Sequence, residues 1–427
     1  MIKKGYKMLI EFSVSNFRSI KEETSFSMIS SKSENKNTFE KSIANKNTSL
    51  YKSSCIYGLN AGGKSNLLKA IATMKEIVLT SDKLPDDNSQ QKYNEFQPYL
   101  FDNCSKDEPS LFEVVFAIGE TKYQYGFKIL NNKIMEEWLY VYESHLPQKW
   151  FVRENDKYNY SAKFKGEKKT WENSTREDSL FLTTAIKLNS EQLKPIFNWF
   201  LKLSVINRSN TKNNIFNTFF YYKESNENKS KIIDFIQNAD FAITDFNINE
   251  KETEVRPRVA DQNFKNISNA NKSIQINIST SHTNQHGTFS LDFERESDGT
   301  RTIFNDAGLF LKVLENDKMP APIFIDELDI HLHPNLVKQI VEIFNNDKLN
   351  KYNNQLIFTT HNTSLLSKGI FEREQVWFID RNKDQESELY SLADFGERKD
   401  DSNMFEKRYL EGRYGAVPIL DDLKELI

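Results

Sequence analysis

The chain has 427 residues, 57 Lys+Arg against 61 Asp+Glu, a formal net charge of −4 and a sequence pI near 6.0. That length buries a large core and leaves room for two lobes, while the charge balance gives no general electrostatic grip on nucleic acid and leaves space only for a local basic patch. Two cysteines, Cys55 and Cys104, exclude a disulfide framework or a Cys-rich zinc site. No apolar run approaches the ~18 residues of a membrane helix, and the basic start lacks a signal-peptide core, so the expectation is a soluble cytoplasmic protein.

Apolar and polar residues alternate from Leu9 to Arg18 in the manner of a half-buried strand. A second strand signal, Cys55-Ile56-Tyr57, runs into Gly58, after which Leu67, Ile71, Met74 and Val78 recur at helical spacing. From Leu111 to Tyr142 the period returns to two, with Asn131-Asn132 as the hairpin turn. Between Ser179 and Lys202 the apolar runs suggest paired helices. The stretch from Tyr222 to Ser290 is rich in Asn, Lys, Ser and Glu and reads as short elements and loops. The last third predicts a helix over 300–314, a strand over 323–325, a helix over 335–344, and strands over 356–358 and 376–379. Short apolar strands separated by helices imply a parallel sheet covered on both faces.

Gly58-Leu59-Asn60-Ala61-Gly62-Gly63-Lys64-Ser65 matches G-x-x-x-x-G-K-[ST] and sits after a strand at the opening of a helix. The glycines let backbone N–H groups turn toward phosphates, Lys64 reaches β/γ oxygens, and the Ser65 hydroxyl takes a place on Mg²⁺; Asn60, Gly62, Gly63 and Asn66 complete the cradle. Ile323-Phe324-Ile325-Asp326-Glu327 is a buried strand ending in two carboxylates that alternation would turn to different sides. Asp326 suits the Mg²⁺ shell and Glu327 suits the polarising of a water, the two tasks of hydrolysis. His331 and His333 form an H-x-H without a nearby third ligand, and Pro334 fits as the first residue of a helix. Asn382-Lys383-Asp384 is one residue short of a guanine-reading N-K-x-D, so ATP is preferred over GTP.

Glu296-Ser297-Asp298-Gly299-Thr300, which opens a helix with Ser297 at its N-cap, resembles the signature motif of ABC-type ATPases. Leu332-His333 resembles that family's D-loop, and Phe358-Thr359-Thr360-His361 its strand-terminal switch histidine. The resemblance implies an α/β fold: an ABC-type head with a mixed β-sheet lobe, a parallel-sheet P-loop core and a helical insertion between the P-loop and the signature. It divides the chain into three segments, 8–175, 176–290 and 291–427. It also implies that Ser297 and Gly299 contact ATP bound to a second copy, that Glu327 and His361 serve hydrolysis, and that Gln97 is the metal-linked Q-loop glutamine, although a loop glutamine before Pro98 reads equally well. Arg18 matches an arginine that in SMC-like heads lies near the phosphates.

No sustained heptads separate Ser65 from Ser297, which argues against a long-armed DNA clamp. The start Phe12 to Ile20, the strand Glu136-Glu137-Trp138-Leu139-Tyr140, the signature and the tail Tyr409 to Pro418 resemble the compact ATPases of the AAA-15/AAA-21 group. That group includes RloA/AbiLi-like and PARIS-like phage-defence ATPases and is related to the ATPase head of overcoming-lysogenization-defect nucleases. About 65 residues follow His361, too few for the Toprim domain of those nucleases, so no intrinsic nuclease is expected. Two functional readings stay open. One is a homo-oligomeric defence ATPase regulating a separate effector, such as a Toprim or HNH nuclease, with nucleic acid or a phage protein as trigger and no membrane partner. The other is a DNA-repair or chromosome-maintenance ATPase. The role of the Arg413 tail is undecided between a partner contact and a helix cap.

Overall fold

The computed structural model describes residues 6–31, 35–84, 92–93, 96–208, 215–254, 272–315, 322–367, 369–397 and 404–418. The basic start at 1–5 and part of the polar stretch, 255–271, lie outside the described residues.

In chain order the amino-terminal strands are β1 (Lys7–Ser15), β2 (Thr24–Ser27), β3 (Thr38–Ile43), β4 (Lys46–Tyr51) and β5 (Ser53–Gly58), followed by helix α1 (Lys64–Thr80). Then come β6 (Ser110–Ile118), β7 (Thr121–Leu130), β8 (Lys133–Tyr142), β9 (Gln148–Glu154) and β10 (Lys157–Tyr160). Helices α2 (Lys168–Ser174), α3 (Phe181–Lys187) and α4 (Lys194–Lys202) lead to β11 (Ser204–Asn207). Next are α5 (Ile215–Glu224), α6 (Asn226–Asn238), β12 (Asp245–Glu254), β13 (Lys272–Asn284), β14 (Gly287–Asp292) and α7 (Asp298–Glu315). The chain continues with β15 (Ile323–Asp326), α8 (Pro334–Asn345), β16 (Leu356–Thr359), β17 (Val376–Arg381), β18 (Ser387–Ser391) and α9 (Phe405–Leu410).

Alternation from Leu111 onward builds an antiparallel sheet of order β10-β9-β8-β7-β6-β1-β2. Asn131 and Asn132 both adopt positive φ, 50° and 65°, as the tight turn between β7 and β8 requires. The short apolar strands form a second sheet, β11-β15-β16-β5-β17-β18, parallel except at its β17–β18 edge. Helix α1 buries Leu67, Ile71, Met74 and Val78 in a core shared with Phe112 and Phe127 of the antiparallel sheet and Trp199 and Phe200 of α4. Each such large apolar side chain contributes about 1.5–3 kcal/mol by leaving water. Glu137, fully buried on β8, accepts the Phe181 (2.6 Å) and Leu182 (3.0 Å) N–H groups. It caps the first turn of α3, and burial raises its pKa against the pull of Arg153 and these N–H donors.

The chain groups into two compact units: Met1–Arg208 with Val313–Asp329 and His333–Ile427, and Ser209–Lys312 with Ile330–Leu332. These divisions differ from the 8–175, 176–290 and 291–427 expectation because apolar faces, which are not local in sequence, decide them. Trp199 of α4 stacks on Phe116 (centroids 4.4 Å apart), which ties the 181–202 helices to the first unit. Phe304 of α7 packs on Phe246 and Phe293, which places most of the signature helix in the second.

The second unit also corrects the reading of 222–290 as short elements and loops. Its described part holds the 13-residue α6, capped by Ser225, and the antiparallel sheet β12-β13-β14, whose middle strand runs 13 residues. Phe246, Ile248, Ile276 and Ile278 supply one apolar face, and intervening Asn, Ser and Glu residues had masked the alternation. At the other end of the chain, Arg413 Nε lies 3.1 Å from Glu397, which also takes Arg408 and the Tyr414 hydroxyl. The tail thus folds on its own chain, with Tyr409 and Tyr414 stacked on Phe378 of β17.

Candidate functional site

All six residues of β5 are buried, and the strand lies between β16 and β17 in the parallel sheet. From its carboxyl end the glycine-rich loop turns into α1. Gly63, at φ 114°, starts that helix in a conformation reserved for glycine, and a Cβ there would come within 2.2 Å of Ser387 Oγ. Lys64 is only 6% exposed, and its ammonium donates to the Gly58 and Leu59 carbonyls at 2.8 Å each. Burial lowers its pKa to about 8, against the attraction of Asp326, Glu327 and Asp329. The loop is braced from outside: Ser387 Oγ donates to the Gly62 carbonyl (2.8 Å) and lies 2.7 Å from Ser19 Oγ, which also accepts from Asn66 Nδ2 (2.7 Å).

The carboxylate strand β15 is separated from β5 by β16. Asp326 ends β15 and is 6% exposed. Glu327 follows at φ 56°, in the left-handed region. β15 ends at Asp326, so the strand's alternation stops there and the turn in the backbone aims Glu327. Thr359, the last residue of β16, donates its hydroxyl to Asp326 Oδ1 and accepts the Glu327 N–H, both at 2.7 Å. Two residues on, the His361 N–H donates to Asp329 Oδ2 (3.1 Å). Desolvation and then the Lys64 ammonium lower the His361 pKa, opposed by Asp329, Glu327 and Asp326.

Asn60, Gly63, Lys64, Ser65, Asn66, Glu327 and His361 line one pocket of about 260 Å³. A larger groove of about 900 Å³ lies against β1, β3, β4, β6 and β7, lined by Glu11, Glu40, Glu113, Lys46 and Lys122 among others. That groove also holds lysine, serine and glutamate side chains and His145, but no glycine turn or helix N-terminus opens into it; the smaller pocket has both, the arrangement that suits phosphate.

Other expected residues lie elsewhere. Arg18 and Gln97 meet, the Arg18 N–H donating to the Gln97 carbonyl at 2.8 Å, but neither lines the pocket, and Gln97 is exposed. Ser297 and Gly299 belong to the second unit. There the exposed Ser297 accepts the Thr300 N–H (3.1 Å) as helix cap, and Gly299 sits so close to His331 that a Cβ would lie 2.7 Å from its carbonyl oxygen. Glu296 accepts from Thr280 and lies 2.7 Å from His282 Nε2. His333 Nδ1 accepts the Asn335 N–H (3.2 Å) with Pro334 in the first turn of α8, a helix cap. Sequence reading passed over Ser19, Ser387 and Thr359. Of these, Thr359 carried a signal, as the strand-end neighbour of the switch-like histidine.

A P-loop on a central parallel strand, an Asp-Glu pair at the end of a strand two places away and a histidine just past the strand between define an ATPase of the ABC/SMC type. The chain belongs to the family described as "AAA domain, putative AbiEii toxin, Type IV TA system", matched over residues 53–367. No curated protein matches the chain in sequence. Among solved structures it is similar to an SmcHead bound to the C-winged helix domain of ScpA (TM-score 0.44, 10% identity, 90% of this chain and 97% of that chain). It is also similar to the SMC head domain from Thermotoga maritima (0.40, 13%, 90% and 98%) and to cbiO1 from Clostridium perfringens, part of the ABC transporter complex cbiONQ (0.31, 10%, 96% and 100%). Among the described residues no helix is long and apolar enough to cross a membrane.

Proposed function

We propose that this chain hydrolyses Mg-ATP as a head-to-head dimer in the cytoplasm and uses that cycle to restrain or release a separately encoded effector in anti-phage defence. The observation that carries the ATPase part is the pocket shared by Lys64, Ser65, Glu327 and His361. Lys64 exchanges the Gly58 and Leu59 carbonyls for phosphate oxygens, and the loop N–H groups and the α1 N-terminus share that charge. Glu327 orients and polarises the attacking water, and His361 faces the terminal phosphate.

The donor set fits Mg²⁺, which takes few protein oxygens and relies on substrate phosphates and water. Ser65 lines the pocket, and Asp326, buried at the end of β15 and not itself among the lining residues, is the carboxylate that would join it; no group of three His, Cys, Asp or Glu side chains is gathered to hold a metal among the described residues. Mg²⁺ would neutralise charge between the phosphates. Gln97 does not line this pocket, and a metal role for it requires movement of its loop. Ser297 and Gly299 of a second copy complete each site, which accounts for an exposed signature serine.

The effector-regulating role draws on the family description, which names a toxin of a TA system rather than a DNA-repair enzyme. The test is Glu327→Gln with ATP: hydrolysis should fall by about two orders of magnitude while a dimer accumulates in light scattering. Fast hydrolysis in that variant would sink the base assignment. A chain that binds duplex DNA only with ATP, with steep salt dependence, would favour the repair reading. Cleavage of DNA by the purified chain would overturn the expectation of no nuclease.

A further inference from the structure

We infer that Thr359 is a positioning residue for hydrolysis, one hydroxyl that sets the Asp326 carboxylate and the Glu327 backbone together. The inference rests on the ATPase reading of this pocket. Thr359 is fully buried at the carboxyl end of β16, the strand interposed between the carboxylate strand and the P-loop strand.

The direction of its two hydrogen bonds follows from donor chemistry. The Glu327 N–H can only donate, so the hydroxyl accepts there, and its single proton goes to Asp326 Oδ1. That commits one named carboxylate oxygen to the protein and fixes the rotation of the Asp326 side chain. The same hydroxyl holds Glu327 at φ 56°, a conformation a glutamate rarely adopts. The Leu328 N–H adds a third tie, donating to the Thr359 carbonyl at 3.0 Å.

Without the hydroxyl, no side chain of β16 would fix the angle between the metal-side carboxylate and the water-side carboxylate. Both would keep their chemistry and lose their register, an error that costs rate more than binding. His361 follows two residues after the strand ends, so β16 both ties Asp326 and Glu327 through Thr359 and leads into His361.

The discriminating pair is Thr359→Val, which keeps the shape and removes both bonds, and Thr359→Ser, which keeps the hydroxyl. In the full-length chain, T359V should bind ATP without Mg²⁺ within about threefold of wild type. Its kcat should fall about 100-fold, with the Mg²⁺ concentration for half-maximal rate raised several-fold. T359S should recover at least a third of the rate. T359V with wild-type kcat and Mg²⁺ dependence, while Lys64→Ala is inactive, would overturn the inference and leave the ATPase reading intact. T359S as slow as T359V would also overturn it, because the methyl rather than the hydroxyl would then matter. Absence of Mg²⁺-dependent hydrolysis in the wild type would defeat both readings together.

Discussion

At the P-loop, the residues expected to hold phosphate are already held by their own chain: the Lys64 ammonium on two carbonyls, the Asn66 amide on Ser19, and the Gly62 carbonyl by the Ser387 hydroxyl. At the start of α7, Ser297 and Asp298 stand exposed, and Ser297 caps its own helix. One end is preorganised by its own hydrogen bonds; the other presents polar groups to solvent. A site built by one copy and completed by another would show this asymmetry, since the completing half must be free to arrive and leave.

Four experiments bear on that contrast. The largest effect should come from Lys64→Ala, which removes the buried cation of the pocket. ATP affinity should drop by more than about 100-fold in a fluorescence titration, and binding near the wild-type level would deny that the P-loop half is preorganised for phosphate. Ser297→Arg should keep ATP affinity within about threefold yet abolish hydrolysis. Mixing it with Lys64→Ala should restore part of the activity, because one composite site then has both halves intact; no recovery would mean that the signature acts within its own chain. Gly63→Ala strains a φ of 114° and drives a Cβ into Ser387 Oγ. A cost of about 1–3 kcal/mol is expected, read as roughly tenfold or weaker ATP binding. Adding Ser387→Gly should recover only part of it, and wild-type affinity in the single variant would show the brace to be soft.

The smallest effect concerns acid. A lowered His361 pKa means that the unfolded chain binds this proton more readily than the folded one, so its neutral-form contribution is complete above the unfolded value near 6.5 and declines as pH falls below it. The side chain is exposed, so solvent screening leaves a shift of no more than about 1 °C in Tm between pH 7 and 5.5. His361→Gln should flatten that slope in differential scanning fluorimetry, and an unchanged slope would remove His361 from the account.

The parallel-sheet core was legible because fixed spacing and short apolar bursts encode it: the glycine motif, Ile323 to Asp326 and Leu356 to Thr359 each announce a strand and the turn at its end. The Asn131-Asn132 hairpin was legible for the same local reason. Ser387 was not. It reaches Gly62 across 325 positions of sequence, and no local pattern marks a serine as a brace for a distant turn. The turn that aims Glu327 was not legible either, because its φ of 56° falls after the strand has ended and alternation no longer applies. The stretch from Tyr222 to Ser290 was read as short elements and loops because its sheet has one polar face, and a single apolar stripe of Phe246, Ile248, Ile276 and Ile278 is faint in a composition dominated by Asn, Ser and Lys. Both unit boundaries depend on stacks such as Trp199 on Phe116, which no reading of contiguous segments can supply.

The strand order has a consequence in time. β5 has β16 and β17 as its neighbours in the sheet, and Ser53 pairs with Leu356. At ~5–20 residues per second a ribosome needs roughly 15–60 s to cover the ~300 residues between them. The antiparallel hairpins from β6 to β10 can close as they emerge, while Cys55-Ile56-Tyr57 waits with both edges unpaired and is the segment a chaperone would need to shield. Nucleotide capture is therefore a late event in the life of each molecule: until β16 and β17 are made, the loop that holds phosphate has no sheet to stand on.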